Sequence, residues 1–454
     1  MKVHFIAIGG SAMHNLAIAL HKKGFTVTGS DDEIFEPSKS RLANYKLLPE
    51  NGGWYPEKIT TDIDAIILGM HARLDNPELI KAQNLGVKIF SYPEYIYEQT
   101  KDKIRVVIGG SHGKTTTTSM IMHVLKENNI DFDYMVGAQI DGFDTMVKLT
   151  KKAKIAIFEG DEYLSSPIDR RPKFHLYHPN IALLTGIAWD HINVFPTFEN
   201  YTSQFKTFID LIQENGKLIY FEEDKEIQKI ITKRRSTIEY IAYNTHPFFI
   251  EQNKTFLKTK NGSYPLSIFG THNLQNLMGA YHICKYLKLS DNQFYSAIQS
   301  FSGAAKRLQI LAENENCVVF QDFAHSPSKL KATTEAVKKQ YPNRKLIACM
   351  ELHTFSSLKK EFLPQYRHSM DMADEAIVYF NPKTIEQKKL ESITSEQVAT
   401  AFGTENLKVY TNSEEMIQYL LNMNFQNSNV LLMSSGNFSG VNLPTLAEKI
   451  KEKN

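Results

Sequence analysis

The sequence predicts an α/β protein in which three blocks of alternating strands and helices follow one another. Three observations carry this reading. Short apolar runs alternate with helix-length segments along the 454 residues, the pattern of parallel sheets with right-handed crossovers. Two of those runs end in a glycine pair that opens a helix, Gly9-Gly10 and Gly109-Gly110. The length, at roughly 150 residues per domain, corresponds to about three domains.

The first block, residues 1–102, opens with an apolar strand over 3–8, then Gly9-Gly10 and a helix reaching Gly24. A second strand over 25–28 leads to Gly29-Ser30-Asp31, and further buried strands are expected at 65–68 and 87–90. The charged Lys101-Asp102-Lys103 marks a boundary. The second block, 103–303, has strands at 104–108, 155–158, 181–184 and 218–221. It continues with a hairpin about Asn261-Gly262 between 248 and 269 and a helix over 271–287. The third block, 304–454, carries strands at 318–320, 346–350, 376–380 and 430–433 with helical stretches between them.

Hydrophobic residues make up 42% and charged residues 22% of the chain, which is enough apolar material for real cores. A formal net charge of +2 sets up no field for nucleic acid or an anionic membrane, so neither is expected as a partner. Cys284, Cys317 and Cys349 are scattered and match no metal spacing, which suits a reducing cytoplasm. No apolar run nears the ~18 residues of a membrane span, and the opening residues read as a strand and not a signal peptide. A cytoplasmic monomer or weak dimer is expected.

The strongest chemical signal is Gly109-Gly110-Ser111-His112-Gly113-Lys114-Thr115-Thr116-Thr117. A strand ending in glycines lets backbone N–H groups wrap phosphate oxygens, and the following helix N-terminus adds partial positive charge. In such a loop Lys114 reaches the β/γ-phosphates and the Thr115 hydroxyl ligates Mg²⁺. Ile108 stands where the strict eight-residue pattern has glycine, so this loop is a shorter variant. Glu159-Gly160-Asp161-Glu162 follows a neighbouring strand, where it either points Glu159 into the same crevice as the second protein ligand for Mg²⁺ or forms an acidic turn on the surface. Trp189-Asp190-His191 follows a third strand, where His191 serves either as a ligand or as a structural histidine.

Asn273 and Asn276 lie three apart at a helix start, so they share a face that either reads an adenine edge or caps the helix. Lys306-Arg307 sits where the second block passes into the third, and Arg307 either closes onto a phosphate or is surface charge. Asp322 and His325, in Asp322-Phe323-Ala324-His325-Ser326-Pro327, are expected to face outward at a strand end. Ile8-Gly9-Gly10-Ser11-Ala12-Met13 with Gly29-Ser30-Asp31 is Rossmann-like without the full glycine spacing, so a nucleotide diphosphate lacking nicotinamide fits as well.

Taken in order, Gly9-Gly10, residues 110–117, 159–162, Asp190-His191, 270–276, Arg307 and 322–327 resemble the Mur ligase family, the ATP-dependent amino-acid and peptide ligases of peptidoglycan synthesis. The resemblance spans the chain. It implies a Rossmann-like UDP-sugar domain over 1–102, a central P-loop ATPase domain over 103–303 and a C-terminal Rossmann-like ligase domain over 304–454. ATP and Mg²⁺ are the implied cofactors, with UDP-N-acetylmuramate and a short peptide or amino acid as partners.

Carried onto matching positions, the resemblance implies that Gly110, Ser111, His112, Gly113, Lys114, Thr115, Thr116, Asn273, Asn276, Arg307, Asp322 and His325 bind the nucleotide. Lys114, His191 and Arg307 are implied in catalysis, and Thr115, Glu159 and His191 in metal binding. Gly9, Gly10, Ser11, Ala12, Met13, Ser30, Asp31, His71, Glu162 and His353 are implied in holding the two substrates.

Within the family, Ser111-His112-Gly113-Lys114 resembles the branch that acts directly on UDP-N-acetylmuramate. Tyr163 after Glu162, the segment 165–177, Phe323-Ala324 and residues 433–440 are similar to the murein peptide ligases of that branch. This implies the tripeptide L-alanyl-γ-D-glutamyl-meso-diaminopimelate as incoming amine, with L-alanine as the alternative. Residues 351–354 read Glu-Leu-His-Thr where the family commonly carries an arginine, and Phe205 and Lys206 stand near where other branches have a carbamylated lysine. A nicotinamide oxidoreductase is the distant alternative, against which Lys114 argues.

Overall fold

In the computed structural model, which describes residues 1–189, 194–232, 235–405 and 407–453, the apolar runs become strands of four sheets. The first sheet holds β1 (Lys2–Ile6), β2 (Thr26–Ser30), β3 (Ala65–Leu68) and β4 (Ile89–Ser91), all parallel, in the order β2-β1-β3-β4. β3 is buried throughout and β1 from Val3 onward. Parallel strands covered on both faces read as unbroken apolar runs, which is why periodicity found them. The helix Ser11–Lys22 starts directly after Gly10 and buries Leu16, Ala17, Ile18 and Leu20.

The second sheet comprises β5 (Ile104–Gly109), β6 (Phe132–Met135), β7 (Val147–Lys148), β8 (Ile155–Glu159), β9 (Ile181–Leu184), β10 (Lys217–Phe221) and β11 (Glu239–Tyr243). Its order is β11-β10-β9-β5-β8-β6-β7. β5 therefore runs between β8 and β9, with Ile108 opposite Glu159 and Gly109 opposite Leu184. Three strand ends thus meet where ligands bind in open parallel sheets. β6 was not expected from the sequence because Asp133 interrupts its apolar run. That buried carboxylate is satisfied by Lys103 and by the Thr150 backbone N–H (2.9 Å) and hydroxyl (2.8 Å).

A third sheet is a meander of β12 (Phe248–Glu251), β13 (Lys254–Thr259) and β14 (Gly262–Leu266). The Asn261-Gly262 turn forms as expected, with Gly262 at φ 124°. A second hairpin precedes it, turning on Gln252 and Asn253 with φ of 48° and 59°. The fourth sheet holds β15 (Gln309–Glu313), β16 (Cys317–Asp322), β17 (Lys345–Leu352), β18 (Glu375–Phe380), β19 (Lys408–Tyr410) and β20 (Ser428–Met433). Its order is β15-β16-β20-β17-β18-β19, parallel apart from β15.

The chain packs as two compact units. One comprises Met1–Ile187, Glu199–Asn244 and Gly279–Phe294, and holds the first two sheets. The other comprises Ala188–Phe198, Thr245–Met278 and Tyr295–Asn454, and holds the last two. In the first unit Phe174 stacks on Phe208 at 4.7 Å and meets Phe205 edge-on at 5.5 Å, which fixes the helix Phe198–Asp210 beside the second sheet. Among the described residues no helix is long and apolar enough to cross a membrane.

Candidate active site

The glycine loop leaves the end of β5 in a conformation that requires glycine. Gly110 has φ 130°, and a Cβ there would lie 2.1 Å from Thr185 Oγ1. Gly113, at φ 79°, is the N-cap of the helix Lys114–Glu127. The residues after β9 hold the loop: Ser111 N–H donates to the Gly186 carbonyl at 2.9 Å, and the Thr185 hydroxyl donates to the His112 carbonyl. Thr185 carries no motif, so sequence reading did not find it.

Side chains of the glycine loop and the acidic stretch meet at the ends of β5 and β8. Lys114 Nζ donates to the Gly110 carbonyl at 2.6 Å and to Glu162 Oε2 at 2.8 Å. The Thr115 hydroxyl donates to Glu159 Oε1 at 2.6 Å, and Gly137 N–H donates to the other Glu159 oxygen at 2.7 Å. Thr116 is buried in the first turn of its helix. Tyr201, fully buried, lies with its hydroxyl 2.7 Å from Ser111 Oγ and donates to Glu162 Oε1 at 3.3 Å. No sequence signal marks this tyrosine; an aromatic in an amphipathic helix reads as core.

The charges in this cluster are set by burial and by one another. Burial opposes the Lys114 charge, but Glu162, then Asp161 and Glu159, outweigh it and hold the ammonium above its ordinary value. Burial, reinforced by Asp161, pushes Glu159 up despite the Thr115 and Gly137 hydrogen bonds and the Lys114 charge. A hydroxyl and a carboxylate in contact are hard oxygen donors that fit Mg²⁺, an ion usually held by one or two protein oxygens with phosphates and water completing the shell. Among the described residues no group of three or more His, Cys, Asp or Glu is placed to hold a metal ion. His191, assigned to metal binding and catalysis, lies outside the described residues.

In the first sheet, Gly9 N–H donates to Asp31 Oδ2 at 2.6 Å, and Ala7 just before it takes φ 68°, a left-handed value costly for alanine. Burial pushes Asp31 up to about 6, with neighbouring Asp32 adding to the shift and the Gly9 hydrogen bond opposing it. Two of the residues implied in holding the substrates are buried here. Ser30 is fully buried, and its carbonyl accepts Ala7 N–H (2.9 Å) and Ile8 N–H (3.1 Å), so it shapes the loop from behind. Met13 is also buried, because the first helical turn directs it into the core, while Ser11 is exposed and Ala12 half-buried. A cavity of about 250 Å³ beside this loop is lined by Asp32, Trp54, His71, Arg73 and Asn76 among others. Trp54 and Arg73 belong to no motif.

In the second unit, Asn273 and Asn276 are both buried, and the Asn273 amide donates to the Phe269 carbonyl at 2.8 Å. The bond ties the first turn of the helix Thr271–Tyr286 back to the segment that precedes it. Asp322 does not face outward. It is buried and accepts Leu308 N–H and Ala324 N–H, each at 2.7 Å, because the turns on either side present unpaired backbone donors. The Arg307 guanidinium stacks 4.5 Å from the centre of the Phe323 ring, and His325 Nδ1 lies 2.8 Å from the Phe323 carbonyl. His353 Nδ1 lies 3.8 Å from buried Glu351, whose carboxylate also accepts the Ser434 hydroxyl and the Phe438 N–H (2.8 Å). Phe205 is core and Lys206 is exposed.

Strand ends that gather a glycine loop, a buried lysine and a hydroxyl–carboxylate pair define a nucleotide-binding α/β enzyme of the P-loop class. Three family signatures match the chain in order. They are the Mur ligase family catalytic domain over residues 2–103, the Mur ligase middle domain over 108–284 and the Mur ligase glutamate ligase domain over 306–436. The UDP-N-acetylmuramate–L-alanine ligase of Clostridium kluyveri is 28% identical over 96% of this chain and 95% of its own length. That of Desulforamulus reducens is 30% identical over 80% of this chain and 79% of its own length. Among solved structures, a murein peptide ligase from Psychrobacter arcticus matches with a TM-score of 0.66, 20% identity and 99% coverage of both chains. The UDP-N-acetylmuramate–alanine ligase of Thermotoga maritima matches with a TM-score of 0.70 at 19% identity, covering 100% of this chain and 99% of its own. The chain belongs to the Mur ligase family, as its motif order implied, and is an ATP-dependent ligase that joins a carboxylate to an amine.

Proposed function

We propose that this ligase activates the lactyl carboxylate of UDP-N-acetylmuramate with ATP and joins it to the amine of L-alanine. The observation that carries the ATP half is the pairing of Lys114 with Glu162 and of Thr115 with Glu159 at two adjacent strand ends. The carboxylate oxygen attacks the γ-phosphorus and ADP leaves. The amine then attacks the acyl carbon, phosphate departs and the nitrogen loses a proton. Two anions must meet in the first step, so charge neutralisation and alignment dominate the catalysis.

Lys114 exchanges Glu162 for phosphate oxygens, while the Gly110–Gly113 backbone wraps the phosphates. Mg²⁺ held by Thr115 and Glu159 would supply further neutralisation. Asn273 and Asn276 are assigned to the adenine and Arg307 to the γ-phosphate. Asp322 acts by fixing the turn that carries Arg307. The Gly9-Gly10 loop with Asp31, and the cavity lined by Trp54, His71 and Arg73, are assigned to the UDP part.

The names of full-length relatives support L-alanine as the incoming amine. A second reading, the tripeptide L-alanyl-γ-D-glutamyl-meso-diaminopimelate, is supported by the segment after Glu162. This segment folds back on itself, with Lys173 N–H on the Tyr163 carbonyl (2.8 Å) and Ser165 N–H on the Arg171 carbonyl (3.0 Å). Arg171 in turn pairs with Asp169 and Glu94. The test is phosphate release with ATP, Mg²⁺ and UDP-N-acetylmuramate, comparing the two amines. Release with L-alanine alone supports the first reading, and release with tripeptide alone transfers the assignment to the second. Silence with both overturns the acceptor assignment.

A further inference from the structure

A cavity of about 480 Å³ opens between the end of the helix Ser11–Lys22 and the segment joining β6 to β8. Its volume is that of a small-molecule pocket. Lys22, Lys23, Lys148, Lys151 and Lys152 line it, against the single lining carboxylate of Asp144. Lys22 approaches Asp144 at 3.8 Å and Lys148 approaches Asp131 at 3.6 Å, so two of the five cations are partly balanced. Lys151 and Lys152 are exposed, and Lys23, half-buried, donates to neutral Gln99 at 2.7 Å. Tyr134, Val147 and Leu149 form a buried apolar floor.

This place is not the nucleotide site. The helix rises about 1.5 Å per residue, so Lys22 lies roughly 18 Å from the Gly10 end. Lys103 and Asp133 mark the starts of β5 and β6, whereas Lys114 follows the far end of β5. Like charges crowded around a concave surface are unfavourable until an anion enters, and low-dielectric walls strengthen the attraction. Lys23 registers that crowding: burial first, then repulsion from Lys103 and Lys151, hold its ammonium below the ordinary value, with Asp133 opposing.

We propose that this cavity binds a small anion carrying two or more phosphate groups, which bridges lysines of the first-sheet helix and of the second-sheet loop. Bound there, it would clamp the UDP-sugar half of the unit against the ATP half and so tune the ligase from a distance.

Inorganic pyrophosphate is the probe, titrated calorimetrically at low ionic strength into the full chain saturated with ADP. A one-to-one binding event is expected. The variant Lys23→Gln/Lys151→Gln/Lys152→Gln should weaken it at least tenfold at unchanged melting temperature, whereas Lys114→Ala should leave it intact. Acetylation of Lys23 and Lys151 should slow when pyrophosphate is present. Three results overturn the proposal: no binding to the ADP-saturated chain, undiminished binding by the triple variant, or equal binding of sulfate, which would mark a diffuse charge patch.

Discussion

Lys114 and Glu162 form an ion pair at 2.8 Å inside the protein, with the Glu162 side chain fully shielded from solvent. Under the proposed function the lysine that serves the phosphates is stored on a carboxylate, and phosphate binding amounts to an exchange of one anion for another. Pre-organisation of that cation costs no desolvation at the moment of reaction.

Lys114→Ala is therefore expected to lower ligation, read as phosphate release, by about 10²-fold or more, the scale for losing a preorganised charge-stabilising group. It also leaves Glu162 buried without its cation, a loss of about 3–5 kcal/mol. Adding Glu162→Gln should recover most of that stability and none of the activity. Near-normal ligation by Lys114→Ala would remove the ATP site from this loop.

Tyr201→Phe deletes one hydroxyl and keeps the ring packed at 5.1 Å against Phe205. Ser111 and Glu162 lose a shared partner worth about 1 kcal/mol. The KM for ATP should rise about fivefold, with little change in the KM for the incoming amine. Identical ATP kinetics would reduce Tyr201 to a packing residue.

Two glycines with positive φ should behave differently. Gly110→Ala places a methyl against Thr185 and should cut activity at least tenfold. At Gly24, with φ 94°, an added methyl would meet nothing within 4 Å, so Gly24→Ala should cost about 1 kcal/mol and leave kcat unchanged. Equal kinetic effects of the two would contradict a site-specific role for Gly110.

Asp31 links pH to stability. Its carboxyl is raised to about 6 in the folded chain, chiefly by burial, above its ordinary value of 3.8. Ionisation is therefore easier unfolded, and the stability Asp31 contributes below about pH 4 is lost as pH rises through 6. The slope is at most about 1.4 kcal/mol per pH unit. Asp31→Asn still accepts the Gly9 N–H but cannot ionise. Denaturant melts at pH 4.5 and 7.5 should show the variant gaining stability relative to the parent as pH rises, and a constant difference would refute the assignment.

The glycine loop, the acidic stretch and the glycine pair at the start were legible because each couples a backbone requirement to a local element. In the glycine loop a strand, two glycines with positive φ and a helix N-terminus lie within ten consecutive positions, and short-range physics suffices to place them. The fully buried parallel strands were legible for the same reason, since their apolar runs need no partner to be seen. β6 escaped because its buried Asp133 is satisfied only by residues distant in sequence.

The remainder was decided by tertiary structure. Tyr201, Thr185 and Glu351 look like core or strand residues until packing brings them to Ser111, Gly110 and Ser434. Conversely, Asp322 looks like a ligand contact, yet folding turns its carboxylate inward onto the Leu308 and Ala324 N–H groups. Sequence by itself determined which backbone can cradle a phosphate. Only the tertiary structure decided which polar side chains remain for a ligand, because a buried donor or acceptor must find a partner, and that partner is chosen by long-range contact.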